Sequence, residues 1–196
     1  MTDRQYRFNL TICGIAELDE YCDGKITHLL SISDPDWIEA AAVAAFAPER
    51  RLALRFHDII EPAPDRLAPG REDVARLLAF GRELAAGDHL LVHCHAGISR
   101  STAAAALILA QADPARPACE VLQLVTELRP RAWPNLRILE FGDDLLGRGG
   151  EIPAAAGLVY RRVLARDPAF GDMIIAGGRG REVGAALSSP APAQTG

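Results

Sequence analysis

The chain has 196 residues, 49% of them hydrophobic, and a formal net charge of −5. That size and apolar content suit one domain with a short extension, and the acidic balance speaks against nucleic acid as the main partner. No apolar run reaches the ~18 residues of a membrane-spanning helix, Met1 to Gln5 open no signal-type stretch, and the cysteines (13, 22, 94, 119) form no CxxC pair, which fits a reducing, cytoplasmic setting.

Phe8, Leu10 and Ile12 alternate with polar neighbours, which predicts a first strand over 8–13. A short helix over 17–22 stops at Asp23-Gly24. Residues 26–32 read as a second strand. Asp34-Pro35-Asp36 then starts a helix through Ala45, with Trp37, Ile38, Ala41, Ala42 and Ala45 on its apolar side. Residues 51–56 are a third strand, and the proline-rich stretch 57–70 is a loop beside the scaffold. Val74, Leu77, Leu78, Gly81, Leu84 and Ala85 recur at helical spacing, and Gly87 ends that helix. The fourth strand spans 89–93 around Leu90-Leu91-Val92. An alanine-rich helix follows from Ser101 to Gln111. Helices over 117–128, 134–146 and 151–166 complete the pattern, with a loop at 129–133 and a Gly-rich hinge at 147–150. From Gly177 onward Gly, Ser, Pro and Ala dominate, which predicts disorder. The expected organisation is a domain over 1–148, a helical extension over 149–176 and a disordered tail over 177–196. Strands separated by helices predict an α/β fold: a central, mainly parallel sheet of about four to five strands with helices on both faces. Ligands of such sheets sit at the carboxyl ends of the strands, and the segments after 93 and after 56 both lie there.

The segment after the fourth strand carries the chemistry. A strand feeding a small-residue loop and then a helix N-terminus makes an anion cradle. This cradle holds Cys94, a possible nucleophile, and Arg100, which can grip two oxygens at once. Loop dipoles, helix and Arg100 all favour the thiolate. The same groups suit a phosphate dianion, bound by His95, Ala96, Gly97, Ile98, Ser99 and Arg100. Gly97 suits a tight turn that lets backbone approach ligand. The arrangement fits in-line attack of sulfur on a phosphate ester, with fixed donors around the equatorial oxygens. Ser101 is expected to hydrogen-bond the sulfur and ease its departure, and His93 to brace the Cys94 backbone. Asp58, where the third strand runs out, is the carboxylate expected to protonate the leaving group and later activate water. Its pKa should rise beside thiolate and phosphate; Asp65 is the second choice. Glu72 and Asp73 read as first-turn acids of a helix. Asn135 either starts the next helix or supports the loop. Trp37, Trp133 and Cys13 read as packing residues, and Cys22 or Cys119 would have a redox role only on approach to Cys94. The histidines show no metal-ligand spacing, and this chemistry needs neither metal nor cofactor.

The stretch His93-Cys94-His95-Ala96-Gly97-Ile98-Ser99-Arg100-Ser101 resembles the HCxxGxxR[S/T] signature of the cysteine-dependent protein tyrosine phosphatases, in a form most similar to the dual-specificity branch. Leu128 to Asn135 resembles that branch's RP…PN segment, which helps fix the phosphate loop. The resemblance covers roughly residues 8 to 146. It implies a dual-specificity-phosphatase-like fold, a cysteinyl-phosphate intermediate, and Cys94, Arg100, Asp58 and Ser101 as catalytic residues. It also implies a phosphorylated protein or small phosphomonoester as substrate, phosphate or sulfate bound in the loop, no nucleic acid and no membrane insertion. The chain lacks the long recognition segments of the tyrosine-specific enzymes, and its loop lacks the lysines of inositol-phosphate-directed members. The alternatives from other classes are a phosphate-recognition module with little turnover and a sulfur-transfer or arsenate-type reaction on the same loop.

Overall fold

The structure, a computed structural model, describes residues 6–21, 25–37, 43 and 50–189. Strands β1 (Asn9–Gly14), β2 (His28–Ser33), β3 (Arg50–Arg55) and β4 (His89–Cys94) form one sheet in the order β1-β4-β2-β3. All three pairings are parallel, so each connection must cross over the sheet. The helices are α1 (Arg71–Gly81), α2 (Arg100–Ala112), α3 (Ala118–Leu128), α4 (Leu136–Leu146), α5 (Glu151–Arg166), α6 (Pro168–Ala176) and α7 (Gly180–Ser188). Residues Ile15–Tyr21 form a 3-10 helix where a short helix over 17–22 is predicted.

β4 lies between β1 and β2, and Leu90, Leu91 and Val92 are fully buried. A strand covered on both faces reads as a continuous apolar run, which is why Leu90-Leu91-Val92 stands out in the sequence. Side chains alternate across the sheet. Leu90, Val92 and Cys94 join the main core with α1 to α5, whereas Leu91 joins Cys13, Leu18, Ile26, Leu29 and Val43 on the opposite face. The alanine run of α2 is buried throughout Ala103–Ala106, so small side chains let the helix lie close beneath the sheet. At Gly142 of α4 an added Cβ would lie 2.3 Å from Leu107, so these two helices also approach closely. Apart from 34–37 and Val43, the helix expected over 34–45 lies outside the described residues, as does Cys22.

The expected disorder over 177–196 is corrected for residues 177–189. Residues Gly180–Ser188 are helical, with Glu182 and Ala186 buried, and Arg179 just before them is buried too. The Gly-Gly-Arg-Gly opening has the composition of a linker, yet its glycines shape the turn between α6 and α7, where Gly178 has φ 76°. α7 then packs against α5 at Gly157, where an added Cβ would lie 2.8 Å from the Ala185 carbonyl. Tertiary burial, rather than local propensity, holds this helix. Residues 190–196 lie outside the described residues.

Candidate active site

The loop between β4 and α2 turns its carbonyls outward. His95 O accepts from Ile15 N at 3.0 Å, Ile98 O from Trp133 N at 2.9 Å and Ser99 O from Asn135 N at 3.3 Å. Arg129 holds the two between them, its Nη2 donating to Ala96 O at 3.3 Å and its Nε to Gly97 O at 3.1 Å. In a trans peptide the carbonyl of one residue and the N–H of the next point in opposite directions. The amides of Ala96, Gly97, Ile98, Ser99 and Arg100 therefore face the inside of the loop, toward the Cys94 end of β4. That is an anion-binding concavity made by backbone, continued by the N-terminus of α2. Gly97 has φ +68°, and a Cβ there would lie 2.5 Å from the Cys13 carbonyl carbon and 2.6 Å from Gly14 N. Only glycine meets both conditions.

Cys94 is buried, and its Sγ lies 3.2 Å from Ser101 Oγ, as expected of a hydroxyl that hydrogen-bonds the sulfur. Arg100 is only 3% exposed. Its Nη1 donates to the Phe56 carbonyl at 2.7 Å and to Asp34 Oδ1 at 2.6 Å. Its Nε is buried without an acceptor among the described residues, so the guanidinium keeps donor capacity for an oxyanion. Asp34 sits at the carboxyl end of β2, and its backbone N–H reaches His95 Nε2 at 3.5 Å. The His95 ring packs against Trp37 with centroids 4.5 Å apart, and Trp37 is 40% exposed. Burial, then the Arg100 charge, lowers the His95 pKa. His93 Nε2 pairs with Ser31 Oγ at 2.7 Å, so this side chain ties β4 to β2. Burial pushes the His93 pKa down to about 4, and the imidazole is neutral at pH 7.

Asp58 is brought to the loop. Ser99 Oγ donates to its Oδ1 at 2.7 Å and Asn135 Nδ2 to the same oxygen at 2.8 Å. Arg179 Nη1 donates to its Oδ2 at 3.0 Å. Burial alone would raise the pKa of this carboxyl. The Arg179 and Arg100 charges, with the hydrogen bonds of Asn135 and Ser99, outweigh it and hold the pKa below the usual value. The upward shift expected beside thiolate and phosphate concerns the loaded site; in the unliganded site Asp58 accepts from three donors and its pKa lies below the usual value. Asn135 caps the start of α4, its Oδ1 accepting from Ile138 N at 3.1 Å, while its backbone N–H reaches the Ser99 carbonyl at 3.3 Å. Asp65 is exposed, at a turn with φ 56°.

Four participants escape the sequence reading. Asp34 looks there like a helix cap and Arg179 like part of a tail. Glu17, on the 3-10 helix, accepts from Arg129 Nη1 at 2.9 Å and from Gly14 N at 2.6 Å, bracing the arginine that holds the loop carbonyls. Glu182, fully buried, accepts from Trp133 Nε1 at 2.5 Å and Leu136 N at 3.1 Å. Trp133 is a packing residue as expected, set 4.4 Å from Tyr160 and 5.1 Å from Phe170 between ring centroids. Among the described residues no group of three or more His, Cys, Asp or Glu side chains could hold a metal ion.

The chain is similar to known proteins in sequence and in fold. Protein phosphatase Slingshot homolog 3 of Homo sapiens is 33% identical over 136 residues, 67% of this chain and 19% of that protein. The chain thus spans about a fifth of that relative's length. The crystal structure of the PTP-2 phosphatase of Cydia pomonella superposes with a TM-score of 0.54 at 18% identity, over 69% of this chain and 84% of that one. DUSP15 superposes with a TM-score of 0.49 at 22% identity, over 71% and 86%. No family model matches the chain.

Proposed function

The chain belongs to the dual-specificity-like branch of the cysteine-dependent protein tyrosine phosphatase superfamily, and from that premise we propose that it hydrolyses phosphomonoesters through a cysteinyl-phosphate intermediate. The observation that supports this most is the conjunction at one strand end: a loop with five outward carbonyls, a nucleophilic sulfur within it, and a buried guanidinium beside it. Phosphate, or sulfate as its mimic, binds the inward amides of Ala96 to Arg100 and the Arg100 guanidinium. The Cys94 thiolate attacks phosphorus, the bond to the leaving oxygen breaks, and the amides and Arg100 carry the charge of the transition state. Water then attacks the thiophosphate. The P–S bond breaks while the Ser101 hydroxyl donates to the departing sulfur, and inorganic phosphate leaves.

Asp58 is held by three donors, and the Arg179 and Arg100 charges outweigh its burial to keep its pKa below the usual value while no phosphate is bound. That state suits a base that receives a proton from the attacking water in the second step, and a brace for Ser99. It does not suit a proton donor in the first step. Phosphotyrosine and other aryl esters, whose phenoxides leave without much help, are accordingly the favoured substrates, whether on a phosphorylated protein or a small molecule. The thiol needs a reducing compartment, which points to the cytoplasm, and no described helix is long and apolar enough to cross a membrane.

The test is release of phosphate from aryl phosphates of graded leaving-group basicity, without added metal. Wild type should turn over and Cys94→Ser should not. Asp58→Ala should lose a similar factor on every substrate. A loss confined to poor leaving groups would restore Asp58 as the first-step acid, and phosphopeptide binding without turnover by wild type would make the protein a recognition module.

A further inference from the structure

We propose that Arg179 is a positioning residue of the active site: one buried guanidinium that fastens Ser99 of the phosphate loop and Asp58 to the C-terminal helix. The inference rests on the phosphatase reading above and extends the working site to a segment beyond residue 177.

Arg179 is 8% exposed. Its Nη1 donates to Asp58 Oδ2 at 3.0 Å and its Nη2 to Ser99 Oγ at 2.9 Å. On the other edge, Nε and Nη2 donate to the two oxygens of Glu182 at 2.9 and 2.7 Å. Glu182 in turn takes the indole N–H of Trp133, whose own backbone N–H holds the Ile98 carbonyl. Two routes therefore run from one guanidinium to the loop, through Ser99 directly and through Glu182 and Trp133. A planar fork with five donors can serve three acceptors at once, which an ammonium cannot do with the same geometry. Stability alone does not explain such a cluster, since buried ion pairs contribute little once desolvation is counted. Convergence of all three acceptors on the loop and its supports does. Without the guanidinium, Ser99 loses its outer anchor, and the Asp58 and Glu182 carboxylates each lose their buried positive partner. The charged and titratable groups facing Asp58 are Arg179, Arg100, His95 and Tyr160.

The experiment uses the full chain with Arg179→Ala. Turnover of p-nitrophenyl phosphate is measured together with the rate of Cys94 alkylation by iodoacetamide, read at that peptide by mass spectrometry, with and without inorganic phosphate as protectant. We expect kcat and the alkylation rate to fall, kcat by roughly ten- to a hundredfold as befits a lost charged hydrogen-bond set. Guanidinium ion at sub-denaturing concentration should restore part of both, and sodium chloride at equal ionic strength neither. Wild-type rates in Arg179→Ala overturn the proposal. So does a loss that guanidinium leaves untouched, which marks simple destabilisation. Should Arg179→Ala fail to fold, Arg179→Lys keeps the charge without the fork, and a wild-type alkylation rate there is equally fatal. Because alkylation and its protection need no turnover, they read the effect of Arg179 even if wild type hydrolyses nothing, an outcome that would sink only the phosphatase reading.

Discussion

At the level of single side chains, His93 makes a sharp prediction. Its pKa is depressed from 6.5 in the open chain to about 4 in the fold. Below pH 6.5 the unfolded chain therefore binds a proton that the folded one refuses, so stability falls with pH across that window and levels off below about 4. At 1.36 kcal/mol per pH unit of differential binding, the loss between pH 7 and pH 5 is about 2 kcal/mol. Urea midpoints at the two pH values should show it, and His93→Asn should flatten the difference. An unchanged slope in that variant would refute the assignment. The same scale explains what could be read from sequence. Cys94, Gly97, Arg100 and Ser101 are legible because their geometry is local: a strand end, one residue with positive φ, and a helix start within a few positions. Asp34 and Arg179 are not, because their partners lie 66 and 121 residues away and nothing next to them in the chain hints at the pairing. Asp58 is half legible. Its place at a strand end is readable, but the remote charges and donors that outweigh its burial, Arg179 first among them, are not.

Among elements, the parallel sheet and α1 to α5 follow from hydrophobic period and from Gly and Pro punctuation, as the sequence predicts within a few residues at each boundary. α7 does not. Its nine residues are too few to be helical alone, and its glycines and terminal serines resemble a linker. What holds it is contact with α5. At Gly157 a Cβ would sit 2.2 Å from Ser189 Oγ and 2.8 Å from the Ala185 carbonyl oxygen. The hydroxyl can swing aside, but the backbone oxygen cannot without moving the helix. Gly157→Val should therefore cost about 1–3 kcal/mol of stability, and catalysis should drop with it, since α7 carries Glu182 and follows directly on Arg179. Retention of full activity and stability in this variant would mean that α7 can shift without consequence. α4 and α2 rely on the same device at Gly142, where Leu107 fills the space a side chain would need.

For the molecule as a whole, the expected boundary at 148 cuts through a continuous core. Leu90, Val92 and Cys94 belong to one apolar cluster with Ala155, Tyr160, Ile174 and Ala186. The Tyr160 hydroxyl donates to the Pro134 carbonyl, and Glu151 accepts from the N–H of Ala118 at 2.8 Å to cap α3. Removing residues after 148 would uncover Trp133 and strip these partners together. The full chain should unfold in one cooperative transition, with tryptophan fluorescence and far-UV circular dichroism coincident, whereas a fragment of residues 1–148 should show a lower melting temperature or aggregate. Separate transitions in the full chain would divide it where the composition suggests.

The hydrogen bond between Asp58 and Arg179 closes 121 residues of chain, and this bears on synthesis. A nascent chain that has emerged past Asn135 already owns the strand, the loop and the Arg129 brace, yet it lacks the guanidinium that seats Ser99. Contacts of such long sequence separation form late in folding. A chain that ends before residue 179 should therefore show the slowed Cys94 alkylation expected of Arg179→Ala, even with the strand, the loop and the Arg129 brace in place.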